Sequence, residues 1–123
     1  MNTRQDERMP LMLYLDVLDA HGGERLGHLG DISPHGLMLI THHPLELGRE
    51  YPIQIDIPDS VPVGRESLQM RIVPRWEKPN LNPAQICMGC QITDLTEKLQ
   101  EEILMLSQYL GFDAGFYVSR VSL

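Results

Sequence analysis

From residue 10 to residue 95, apolar side chains recur mostly at every second position, in short runs broken by Gly, Pro and Asp clusters. A two-residue period places alternate side chains on opposite faces of an extended chain, so the pattern predicts short strands joined by turns. Alternation is clearest in Leu11-Met12-Leu13-Tyr14-Leu15-Asp16-Val17 and in Ile53-Gln54-Ile55-Asp56-Ile57. In the latter, Gln54 and Asp56 point to water.

The predicted strands are 11–18, 25–32, 37–41, 51–57, 68–76 and 85–93, enough for a small barrel. His21-Gly22-Gly23-Glu24 reads as the hairpin joining the first two, because paired glycines supply positive φ at little steric cost. Pro74 gives no ladder donor, so its strand is expected to be bulged or at an edge. Lys78 to Pro83 carries loop residues, with the last strand starting near Ala84.

After Asp94 the period changes. Leu99, Ile103, Leu106 and Leu110 fall at helical spacing, while Lys98, Gln100, Glu101, Glu102 and Gln108 cover the other faces. Asp94 with Glu97 can form a capping box, or Thr96 can cap, and Gly111 suits the C-terminal stop. The chain thus divides into a flexible arginine-bearing segment (1–9), a strand-rich body closed by a helix (10–111) and an apolar tail (112–123). That tail holds Phe116, Tyr117, Val118, Val121 and Leu123, and is expected to pack on the barrel or on a partner.

At 123 residues the chain is one domain by length, and 42% hydrophobic residues suffice for a core without disulfides or a structural metal. The net charge of −7 argues against binding long nucleic acid through a broad basic surface. A small anion held by a few arginines remains compatible with it. No apolar run approaches the ~20 residues of a membrane span, and Met1 to Arg8 are charged where a secretory signal turns apolar. The expected compartment is the cytoplasm, where two cysteines and seven methionines pack as reduced apolar groups.

Two short motifs stand out: Arg4-x-x-x-Arg8 before the first strand, and Asp31-x-Ser33-x-x-Gly36 at the end of the second. Guanidinium groups clamp phosphates with paired charge-assisted bonds and stack on purine faces. Asp31 and Ser33 offer acceptors to a base edge such as that of guanine, and Gly36 permits close backbone approach and unusual dihedrals. Taken singly, either motif is ordinary: Asp, Ser, Pro and Gly are common turn residues, and two arginines suit any solvated terminus.

Their order around a β-hairpin resembles the PilZ domain family, bacterial receptor modules for the second messenger cyclic di-GMP. That family carries RxxxR ahead of the first barrel strand and (D/N)xSxxG after the second. The likeness extends through Gln69 to Trp76, Ile86 to Ile92 and the final helix, roughly residues 4 to 110. It implies a mainly β fold, a six-stranded antiparallel barrel with a C-terminal α-helix. It also implies that Arg4 and Arg8 engage the phosphates and guanine of cyclic di-GMP while Asp31, Ser33 and Gly36 line the guanine pocket. His35, Arg71, Arg75 and Trp76 are expected as a flank to this surface.

The function so implied is a non-enzymatic receptor or adaptor, with no cofactor, whose affinity for a downstream protein changes when the arginine segment closes over the nucleotide. Asp6 and Glu7, between the two arginines, oppose phosphate binding. They support an alternative, an interaction adaptor of the same fold with weak or no nucleotide binding.

Two further patterns invite a metal or redox reading. Cys87-Met88-Gly89-Cys90 has CxxC spelling, but within an alternating strand residues three apart face opposite sides. His21, His28, His35 and His42 recur every seven residues, yet the intervening glycines exclude the helix that would align them. No metal site is expected, and no nucleophile elbow, phosphate loop or HExxH motif supports catalysis.

Overall fold

A computed structural model describes residues 15–59 and 66–110. The arginine segment 1–9 with Arg4 and Arg8, the start of the first predicted strand, Gly111 and the tail 112–123 lie outside the described residues. Six strands and one helix follow in order: β1 (Asp16–Asp19), β2 (Arg25–Ser33), β3 (Gly36–Thr41), β4 (Tyr51–Asp56), β5 (Ser67–Pro79), β6 (Ile86–Ile92) and α1 (Glu97–Leu110). The strands close into an antiparallel barrel in the order β1-β2-β3-β6-β5-β4. The expected six-stranded barrel with a C-terminal helix is what the chain forms.

Alternation produces the core. Val17, Leu29, Ile32, Leu37, Leu39, Ile53, Ile55, Leu68, Ile72, Met88 and Cys90 point inward, and Leu99, Ile103, Leu106 and Leu110 of α1 join the same cluster. The helix therefore completes the barrel's interior with its apolar stripe. Thr96 is the cap: its Oγ1 accepts from the Leu99 N–H at 3.1 Å. Asp94 instead accepts from the Arg71 N–H at 2.9 Å, tying the helix approach to β5.

The β1–β2 hairpin turns at His21 to Glu24 as the glycine pair suggests, but only Gly23 adopts positive φ, at 77°. Asp19 accepts from the N–H groups of His21 and Gly22, and these bonds hold its carboxyl below the usual range.

The end of β5 differs from the sequence reading. β5 continues to Pro79, with Lys78 and Pro79 paired to Cys87 and Ile86, so the loop spans only 80–85. A strand-terminal proline costs no ladder bond when its nitrogen faces away from the partner, which composition alone does not reveal. Pro74 does mark a bulge, with the register shifting between Pro74 and Trp76, and its carbonyl accepts from the Gly48 N–H at 2.8 Å. It is not on an open edge, since the barrel closes around it.

Candidate functional site

The position of the second motif is set by a bulge at Gly30. Leu29 pairs with Leu39, but the next pair is Asp31 with Met38, so one residue of β2 has no counterpart on β3. The extra residue inverts the alternation. Leu29 and Ile32, three apart, both point into the core, and Asp31 and Ser33 turn to the outer face. Without it, Asp31 would follow Leu29 inward, carrying a carboxylate into an aliphatic interior.

Ser33 and Gly36 are a directly opposed pair closing a hairpin over Pro34 and His35. Ser33 Oγ accepts from the His35 N–H at 3.2 Å, which shapes the turn. Asp31 Oδ1 accepts from the Ile32 N–H at 2.8 Å. Although on the outer face, Asp31 is only 1% exposed and Ser33 fully buried. Gly36 does not use a positive φ, so the unusual dihedral expected of it is absent. What it supplies is a strand position without a side chain, opposite Ser33 on one side and Gln91 on the other.

Cross-strand register extends the site. Asp31, Met38, Gly89 and Trp76 form one row across β2, β3, β6 and β5, three strand spacings or roughly 14 Å wide. Trp76 lies over Gly89, and with Met38, Ile40 and Cys87 it forms a small apolar cluster on the outside of the barrel. Lys78 Nζ stands 5.3 Å from the centre of the Trp76 ring. In the neighbouring row, Gln91 stands opposite Gly36 and accepts from Arg75.

The structure thus gathers Asp31, Ser33, Gly36, Trp76 and, through Gln91, Arg75 on one face. His35 is exposed at the hairpin tip. Arg71 turns elsewhere, its guanidinium 3.7 Å from Glu50 toward β4. The sequence reading passed over Gly30, Gly89 and Gln91. An isolated glycine inside a strand pattern is the signal for a bulge or a close approach, and it applied to the first two. Gln91 carries no such mark.

The thiols separate as alternation requires. Cys90 belongs to the interior cluster and Cys87 to the outer one, where its Sγ donates to Asn80 Oδ1 at 3.2 Å. Burial pushes the Cys90 pKa up to about 12. Among the described residues no group of three His, Cys, Asp or Glu side chains is placed to hold a metal ion, and no helix is long and apolar enough to cross a membrane.

A search of curated proteins returned no match. Among solved structures, the chain is similar to the Bacillus subtilis inhibitor of motility MotI/DgrA, at a TM-score of 0.62 and 16% identity. The likeness covers 79% of this chain and 46% of that one, so the shared part is less than half of the larger protein and speaks for the fold alone. The sequence model of the PilZ domain family matches residues 2–108. A match of that extent, on a chain that folds as a closed six-stranded barrel with a terminal helix, makes this protein a member of the PilZ domain family.

Proposed function

We propose that the protein is a bacterial, cytoplasmic, non-enzymatic receptor for cyclic di-GMP that passes ligand binding on to a downstream protein. The observation that carries the reading is the Gly30 bulge, which turns Asp31 and Ser33 onto the outer face, with Ser33 opposite a residue without a side chain, Gly36. A carboxylate and a hydroxyl spaced in this way can accept from and donate to a guanine edge. Trp76, in the row of Asp31, offers an aromatic surface on the same face. Arg4 and Arg8 supply the phosphate contacts in this proposal.

Because Asp31 and Ser33 are buried, a ligand reaches them only when the atoms over them move. That displacement is the conformational change a partner can read. The second reading, an adaptor with weak or no nucleotide binding, draws on Asp6 and Glu7, which place negative charge beside the proposed phosphate site.

Trp76 is the chain's one tryptophan and reports on this face. Titration with cyclic di-GMP is expected to change its emission saturably, and Asp31→Ala to suppress the change. An unaltered spectrum up to high micromolar ligand, together with no heat of binding, favours the adaptor.

A further inference from the structure

Gln91 belongs to neither motif, yet register makes it a neighbour of the second. Ser33 is opposite Gly36 and Gly36 is opposite Gln91, so the three share one row on the outer face. Gln91 is held from the far side. Arg75 donates to Gln91 Oε1 through Nε at 2.9 Å and through a terminal guanidinium nitrogen at 2.7 Å.

A guanidinium has donors only, so this fork fixes which end of the amide is oxygen. With Oε1 doubly engaged, Nε2 is what Gln91 has left to offer: two N–H donors and no acceptor. No acceptor for Nε2 is present among the described residues.

The motif provides the opposite complement. Asp31 and Ser33 bring acceptors, which suit the N1–H and N2 amino group of guanine, and the O6 beside that edge takes a donor. Adenine carries an N6 amino group where guanine carries O6, so a locked donor at that place favours the 6-oxo purine.

We propose that Gln91, locked by Arg75, is a specificity-determining residue that donates from Nε2 to the O6 of a 6-oxo purine held at Asp31, Ser33 and Gly36. The proposal rests on the reading of the protein as a cyclic di-GMP receptor. Arg75 is a positioning residue in it: the arginine contacts the glutamine and fixes its direction.

The test uses calorimetry with cyclic di-GMP on the full chain, as wild type, Gln91→Met and Arg75→Ala, with melting of each unliganded protein as the control. Gln91→Met keeps length and removes the donor, and is expected to weaken binding about three- to tenfold. Arg75→Ala leaves the amide in place but free to turn, and is expected to weaken binding by a smaller factor. In the wild type, NMR should show a Gln91 side-chain amide proton moving downfield on saturation, a readout that does not depend on how the variants fold. Wild-type binding with Gln91→Met unaffected, or with the Gln91 amide protons unmoved, overturns the proposal and leaves the receptor standing. Absence of wild-type binding overturns both.

Discussion

The indole of Trp76 occupies the space that a Cβ on Gly89 would need, its Cε2, Cζ2 and Nε1 atoms all meeting such an atom. The two residues are directly opposed on β5 and β6, so a strand position without a side chain seats the aromatic ring across it. Gly89→Ala is therefore expected to lift the ring from the outer cluster and to destabilise the fold by about 1–3 kcal/mol. Urea denaturation gives the loss, and a red shift of the tryptophan emission reports the displaced ring.

The helix that completes the core starts at a single side-chain bond, from the Leu99 N–H to Thr96 Oγ1. Thr96→Ala should cost about 1 kcal/mol and Thr96→Ser much less, since the hydroxyl is what caps. Thermal melting of the two variants side by side distinguishes loss of the cap from a general surface effect.

Cys90 is buried in the barrel interior with its pKa raised to about 12, so at pH 8 it is a thiol and out of reach. The native protein should leave Cys90 unmodified by Ellman's reagent until denaturant is added. Cys90→Ser places a hydroxyl among aliphatic neighbours and is expected to cost about 1–3 kcal/mol. Cys87→Ser should cost less, because the thiol it replaces meets Asn80 Oδ1 at the shorter contact, 3.2 Å, against 3.7 Å from the Cys90 Sγ to the Met88 carbonyl.

His28 sits opposite Asp16 and Ile40, and burial, followed by the charge of Arg25, holds its pKa below 6.5. Asp16 acts in the opposite sense and His42 in the same sense as Arg25. The unfolded chain takes up a proton at this residue sooner than the folded one does as pH falls. The stability from neutral His28 is thus fully present above about pH 6.5 and is lost as pH drops through the lower folded value. Melting temperature should decline between pH 7 and pH 5.5 in the wild type, and decline less in His28→Gln.

Periodicity made the strands and the helix legible, because a barrel wall and a helix stripe each bury one face and so write their period into the sequence. Where both faces of a strand are covered, as throughout β3, alternation is lost, and there turn residues located the ends. The extension of β5 to Pro79 was hidden because Glu77, Lys78 and Pro79 are exposed and carry no apolar alternation. At the site, Asp31, Ser33 and Gly36 were legible as a spaced motif. What placed them on the outer face was the unmatched Gly30, whose effect is visible only in the pairing of β2 with β3. Gln91 escaped notice for a related reason: its neighbours Gly36 and Arg75 are distant in sequence and meet only through register.

The most direct measurement is calorimetric titration of the wild type and Arg8→Ala with cyclic di-GMP, with stoichiometry read from the same isotherm. The account predicts saturable heat for the wild type, and for Arg8→Ala no detectable binding at an unchanged melting temperature without ligand. Wild-type protein that releases no heat at high micromolar cyclic di-GMP, or Arg8→Ala that binds as the wild type does, would contradict it.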